Sequence, residues 1–430
     1  MVRQAARGVL MVAYYFPPVG GVGVFRTLKF SKYLPEFGFV PIILTVRNRS
    51  TGALDSSLVS EVPREATVIE TLSAEHRALR APRLLGLDPK WFFIPDEQIG
   101  WIPFALRRGE AAIRRYDARV IYATAPPFTG LIIGHLLKRR TGRPLVIDFR
   151  DPWTQNVFTH YPTRFHRRAE ERMERSVLRS ADWVITTTAE MRKALIDRHP
   201  FLAERSEIIL NGFDSADFGG LERMPNPNQF TITYTGKIYG LRTAEPFLAA
   251  VARFVGKDES LRRKVHVIFA GPKDADTGRT IHRLGLHDVA EQTGFLSHRE
   301  SLRLMINADV LLLIMSEREL GAGPAAMMIP GKTFEYLAAR RPILALVPGG
   351  DAAALLTRSG AGILVGPDDI DGIEAALIDL FDRWRRGALT VPLFDLSVFE
   401  RRSQTERLAA IFGIVSDVRI GYDGPVVVEP

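Results

Sequence analysis

Ile329-Pro330-Gly331-Lys332-Thr333-Phe334-Glu335-Tyr336-Leu337-Ala338-Ala339-Arg340-Arg341-Pro342-Ile343-Leu344 reads as a loop, a helix and the start of a strand. Pro330 and Gly331 open it, Phe334, Leu337 and Ala338 repeat at helical spacing, and Pro342 stops the helix before an apolar run. A helix opening from such a loop turns main-chain N–H groups and the positive end of its dipole outward. Gly331, Lys332 and Thr333 would there hold a phosphate or diphosphate without a metal. Glu335, one turn in, would accept hydrogen bonds from a ribose. The same residues also fit an ordinary surface turn followed by a core-facing helix.

Working outward, short β-branched runs alternate with amphipathic patterns, the mark of parallel sheets wrapped by helices. The first half carries runs at 8–14, 41–46, 119–124, 144–149, 183–187 and 207–210, and the second at 230–235, 265–270, 310–315, 343–347 and 362–365. Residues 212–229, rich in Gly, Pro, Asn and Asp, read as a linker. The expected fold is α/β, with two doubly wound Rossmann-like domains over 1–211 and 230–395 facing each other across a cleft. A helix within 396–415 is expected to pack back on the first domain, ahead of a tail over 416–430.

The 430 residues suffice for two cores of roughly 200 residues each. The chain has no cysteine, which excludes disulfides, thiolate zinc sites and a Cys nucleophile and fits a reducing compartment. A net charge of +8 favours anionic partners. The apolar run from Val9 to Phe16 follows Arg3 and Arg7, but Pro17-Pro18 and Gly20-Gly21 cut it short, so it reads as a first strand, not a leader. No stretch reaches the ~18 apolar residues of a membrane span. The expected location is the cytoplasm, including the inner face of the membrane.

Gly20-Gly21-Val22-Gly23 follows the first strand and opens a helical run from Phe25 to Phe37. These glycines fit either close approach to a phosphate or a tight turn needed only for folding. A dinucleotide fingerprint would need a small residue where Arg26 stands, so nicotinamide binding is disfavoured. Asp148-Phe149-Arg150-Asp151-Pro152-Trp153 ends a strand. Strand alternation places Asp148 and Arg150 on one face, as a lock or as chemistry, and Asp151 just beyond is the better general base. In Gly236-Lys237-Ile238-Tyr239-Gly240-Leu241-Arg242, the two cations would flank a leaving diphosphate or lie as solvated charge.

Asp274-Ala275-Asp276 has the form of a cation-binding pair, but such triplets arise often by chance, and the histidines show no ligand spacing. No metal site is expected. Helix 163–179 carries Arg164, Arg167, Arg168, Arg172, Arg175 and Arg179, with Phe165, Ala169, Met173 and Val177 as its expected buried stripe. Its charged face fits solvent or an anionic membrane. Trp91-Phe92-Phe93 and Trp101 to Phe104 would cover an apolar acceptor or pack a loop.

The order of these motifs resembles glycosyltransferase family 4, which has the GT-B fold. The matching residues are Tyr15-Phe16-Pro17-Pro18 with Gly20-Gly21, Asp148 to Trp153, Asn211 to Asp214, Tyr234 to Lys237, Gly294-Phe295, and Pro330-Gly331-Lys332 through Leu337. The resemblance implies retaining, metal-independent transfer of a sugar from a nucleotide-diphosphate donor to a glycan or lipid-linked acceptor, with no further cofactor and no nucleic-acid partner. By position, Glu335 would hold the ribose, Phe295 would line the base pocket, and Lys237 with Arg242 would neutralise the diphosphate. Gly20, Gly21 and Gly236 would approach the phosphates, while Arg150 and Asp151 would face sugar and acceptor. Many members carry a second Glu where this chain has Met327, and a His where it has Arg150. An Arg-Asp-Pro-Trp subgroup is the nearest match. The alternatives are a GT-B-like sugar-nucleotide epimerase or hydrolase, and a scaffold without catalysis.

Overall fold

The structure is a computed structural model that describes residues 7–47, 54–75, 86, 88–156, 159–316 and 327–416. The chain forms two compact units, Met1–Asn211 with Arg401–Pro430, and Gly212–Glu400. The expected tail, 416–430, lies outside the described residues apart from Ser416.

The first unit is built on seven parallel strands: β1 (Arg7–Val12), β2 (Phe39–Val46), β3 (Thr67–Thr71), β4 (Ala118–Ala125), β5 (Leu145–Phe149), β6 (Trp183–Thr186) and β7 (Ser206–Ile208), in the order 3-2-1-4-5-6-7. The second has six, β8 (Phe230–Thr235), β9 (Val265–Ala270), β10 (Ala290–Gly294), β11 (Val310–Ile314), β12 (Ile343–Leu346) and β13 (Gly362–Val365), in the order 10-9-8-11-12-13. Each sheet reverses direction beside its first strand, so the loops after β1 and β4, and after β8 and β11, flank a switch point where ligands bind in such sheets. The sequence reading missed β3 and β10. β3 alternates exposed and covered residues, and β10 reads Ala-Glu-Gln-Thr-Gly, so neither shows the apolar run of a central strand.

The last helix, Arg401–Val415, belongs to the first unit, where Leu408, Ile411 and Phe412 join Phe30, Phe39 and Tyr122 in the core. Residues 212–229 belong to the second unit. Asp214 caps the turn Ser215–Phe218, the Met224 amide donates to Asn307 at 2.6 Å, and Arg223 pairs with Asp309 at 3.2 Å.

The first core is organised around a buried charge. Arg26 lies on helix Val22–Tyr33 and donates to both Asp148 oxygens at 2.8 Å and to the carbonyls of Leu210 and Ile209 at 2.8 and 2.9 Å. Asp148 also accepts from Tyr122 at 2.6 Å and from Thr124, its register partner on β4, at 2.9 Å. Asp148 is therefore locked to Arg26, not to Arg150 as strand alternation suggested. Burial opposes ionisation of Asp148, but the attraction of Arg26 and the bonds from Arg26 and Tyr122 outweigh it and hold the carboxyl below its usual range.

Removing one partner of such a pair leaves a buried charge uncompensated. Asp148→Asn should cost about 3–5 kcal/mol of first-unit stability, read by urea unfolding followed through the buried Trp101 and Trp153. Because the native carboxyl titrates below the unfolded one, the wild-type advantage should be full above about pH 4 and fade as the pH falls further. An unchanged midpoint would show that the pair is not structural.

Candidate functional site

In the second unit the opening motif is a short helix, Lys332–Ala339. Lys332 and Tyr336, four residues apart, share a face that clips onto the end of β8. The Lys332 ammonium donates to the Thr235 carbonyl and stands 3.8 Å from the centre of the Tyr234 ring. The Tyr336 hydroxyl accepts from the Thr235 amide at 2.9 Å.

Gly236, next in the chain, has φ +92°, and a Cβ there would stand 3.1 Å from Lys332 Nζ. On the other side its carbonyl lies 2.5 Å from where a Cβ on Gly271 would sit. Only glycine fits such a crowded, left-handed position. Burial pushes the Lys332 ammonium down to about 7, with the positive charge of Arg242 adding to the effect and Glu335 opposing it.

Around this clip lie the other expected donor residues. Arg242 is 8% exposed, with its guanidinium 4.8 Å from the centre of the Tyr239 ring. Lys237 is exposed, and its carbonyl accepts from the Tyr234 hydroxyl at 3.0 Å. Phe295 is half exposed. Glu335 is partly exposed and accepts from His298 Nε2 at 2.8 Å.

Two expectations fail here. Thr333 is fully buried, so its side chain cannot touch a ligand. The helix also opens with a tight turn in which the Thr333 and Phe334 amides donate to the Pro330 and Gly331 carbonyls, at 2.9 and 3.3 Å. Those two N–H groups therefore do not face outward, and the cations of this site are the partly buried Lys332 and the buried Arg242. Asp274-Ala275-Asp276 is a helix start: Asp274 accepts from the Thr277 amide at 2.8 Å, and Asp276 pairs with Arg279.

In the first unit, the loops at the carboxyl edge are joined by Arg150. Its guanidinium donates to the Gly23 carbonyl at 2.6 Å, the Ala125 carbonyl at 3.2 Å and the Pro126 carbonyl. It thus staples the segment after β5 to the start of helix Val22–Tyr33 and to the end of β4, and the Arg150 carbonyl accepts from Thr187, after β6, at 2.9 Å. Burial lowers the guanidinium's proton affinity, against the attraction of Asp151 and Asp148. Asp151 is partly exposed. Gly20 is partly covered and Gly21 exposed; Gly21 takes φ +107° and starts helix Val22–Tyr33 without a side-chain cap. That leaves the dipole end open to an anion.

The Asp-Pro-Trp segment is held from behind by helix Arg164–Ser180. Trp153 stacks on Phe128, ring centres 4.9 Å apart, and donates to Glu170 at 2.9 Å; Thr154 donates to Glu174 at 2.5 Å. The helix therefore buries His166, Glu170, Glu174, Val177 and Leu178, while Phe165 is 66% exposed. The expected stripe through Phe165, Ala169 and Met173 is corrected because two glutamates turn to the loop, where their partners offset part of the burial that raises their proton affinity. No local pattern flags His298, Tyr336, Arg26 or these glutamates, since their partners are distant in sequence.

Two parallel, doubly wound sheets, each with glycines and cations after its first strand, define the GT-B fold. The Glycosyltransferase Family 4 profile matches residues 58–217, and the Glycosyl transferases group 1 profile matches 229–383. The chain is an enzyme, a glycosyltransferase with the GT-B fold, which acts on a nucleotide-sugar donor and an acceptor.

It is similar to an alpha-D-kanosaminyltransferase of Streptomyces kanamyceticus, 24% identical over 73% of this chain and 81% of that protein. It also resembles a 2-deoxystreptamine N-acetyl-D-glucosaminyltransferase of Streptomyces fradiae, 22% identical over 87% and 90%. A solved glycosyltransferase from Rickettsia africae shares the fold, with TM-score 0.65 and 13% identity over 96% of this chain and 99% of that one. The matched families are transferases, which disfavours the epimerase and scaffold alternatives.

The lowered Lys332 proton affinity carries a sign. The folded protein sheds this proton near pH 7 and the unfolded chain near 10.4, so stability rises with pH between those values and the cost of the charge is full below 7. Lys332→Met should raise the ligand-free melting temperature at pH 6 by about 2–4 °C, the response to about 1 kcal/mol, with a smaller gain at pH 9. The same change should weaken nucleoside diphosphate binding. A lower melting temperature at pH 6 would overturn this reading.

Proposed function

We propose that the enzyme moves a sugar from a nucleotide-diphosphate donor to a hydroxyl of a glycan or lipid-linked acceptor, with retention and without a metal, in cell-surface polysaccharide or glycolipid synthesis. The observation that carries the donor half is the grouping of Lys332, Arg242 and Glu335 at the end of β8: two cations for a diphosphate and a carboxylate for a ribose. In the reaction the bond between the anomeric carbon and the diphosphate oxygen breaks, and the acceptor oxygen bonds to that carbon. The acceptor proton passes to Asp151, while Lys237, Arg242 and Lys332 stabilise charge on the leaving diphosphate. Arg150, read from the sequence as catalytic, acts here by positioning, through its bonds to the Gly23, Ala125 and Pro126 carbonyls.

A second reading is an acceptor like the 2-deoxystreptamine in the name of the Streptomyces fradiae relative, which matches 87% of this chain. No described helix is long and apolar enough to cross a membrane. We assign the enzyme to the cytoplasm, at the membrane's inner face. Support comes from the exposed Arg164, Arg167, Arg168, Arg172 and Arg175, with Phe165 and Trp91 on either side of His166. Sedimentation with vesicles of anionic lipid should capture the protein at low salt and release it at high salt, and an equal response to neutral vesicles would remove the membrane assignment.

The donor test is a melting-temperature screen against UDP, GDP, ADP and CMP and their sugars, with and without EDTA. One nucleotide should stabilise the protein by about 2–3 kcal/mol near 100 times its dissociation constant, whether or not EDTA is present. Glu335→Ala should abolish most of that shift. No shift with any nucleotide would sink the donor assignment, and a product of inverted anomeric configuration by NMR would sink retention.

A further inference from the structure

We infer that His298 is a positioning residue for donor recognition, holding the Glu335 carboxylate in the rotation that receives the ribose hydroxyls. The inference rests on Glu335 as the ribose acceptor and adds how that side chain is kept in place. His298 is the first residue of helix His298–Asn307, whose start is fixed by a reciprocal cap: Ser297 accepts from the Glu300 amide, and Glu300 accepts from the Ser297 amide at 2.8 Å. From that fixed point Nε2 reaches Glu335 Oε1 at 2.8 Å, and Nδ1 lies 4.0 Å from Asp217 Oδ2. Asp217 belongs to the turn capped by Asp214. Residues 217, 298 and 335 thus form a row, carboxylate, imidazole, carboxylate, with His298 and Asp217 each 13% exposed and Glu335 20%.

The row answers a mechanical problem. Glu335 sits three residues from Lys332 and attracts its ammonium. An untethered glutamate would turn toward that charge and lose the orientation needed to accept from two neighbouring hydroxyls. A hydrogen bond from His298 to one oxygen fixes the carboxylate plane and leaves the remaining lone pairs for a diol. Because a bond to a charged acceptor is strong, losing it costs orientation and not just contact.

The test measures dissociation constants for UDP, GDP and ADP and their 2′-deoxy counterparts, together with KM and kcat, in wild type, His298→Leu, His298→Gln, His298→Asn, Glu335→Ala and the His298→Leu/Glu335→Ala double variant. His298→Leu should weaken the preferred ribonucleotide about tenfold, flatten its preference over the deoxy form and raise donor KM, with kcat within about twofold. His298→Gln, whose amide nitrogen reaches where Nε2 stood, should recover most of the preference; the shorter Asn should not. The double variant should bind no worse than Glu335→Ala, since the two residues act as one unit.

A ribose preference retained in His298→Leu, or additive losses in the double variant, would overturn the inference. Should His298→Leu fail to fold, equal ribose preference in the Gln and Asn variants would overturn it as well. If Glu335→Ala itself leaves the preference intact, the ribose assignment fails; an effect of Glu335→Ala without one from His298→Leu defeats only the role of His298.

Discussion

The buried pair of Arg26 and Asp148 is the constraint on which the first unit depends. A guanidinium and a carboxylate without water survive only when every remaining donor and acceptor is matched. Here Tyr122, Thr124 and the carbonyls of Ile209 and Leu210 do the matching. Helix Val22–Tyr33, strands β4 and β5 and the segment after β7 are therefore held to one register. The glycine loop that begins the helix inherits its place from this pair, and so does the Arg-Asp-Pro-Trp loop that ends β5.

That inheritance explains why Arg150 can serve as a staple. Arg150 follows β5, and its three main-chain acceptors lie at the start of helix Val22–Tyr33, at the end of β4 and just beyond it, segments that meet only because the strands beneath them are fixed. Trp153, anchored by Phe128 and Glu170, holds the far side of the same loop. The segment that reads as a catalytic signature is thus mostly scaffold, and its partly exposed members are Arg150 and Asp151.

The second unit uses charge in the opposite sense. Arg26 is compensated, whereas Lys332 is desolvated with Arg242 nearby, and Glu335, the Thr235 carbonyl and the Tyr234 ring offset that in part. A site of this kind costs stability while empty and recovers it when an anion arrives, the usual relation between preorganisation and binding. The glycine at 236 belongs to the same arrangement, because a side chain there would displace the ammonium.

Sequence alone determined the alternation of strand and helix, the two-unit division, and the loops after β1, β5 and β8. These features lie in local periodicity, glycine placement and residue order, which act within one or two turns of chain. It did not determine that Thr333 points inward, that Asp148 faces Arg26, that helix 164–180 turns its glutamates toward Trp153, or that His298 meets Glu335. Apart from Thr333, whose hydroxyl is buried without a hydrogen-bond partner, each of those depends on a partner 17 to 122 residues away, and polar side chains choose their face by where a partner waits. Only the packed tertiary structure supplies that partner.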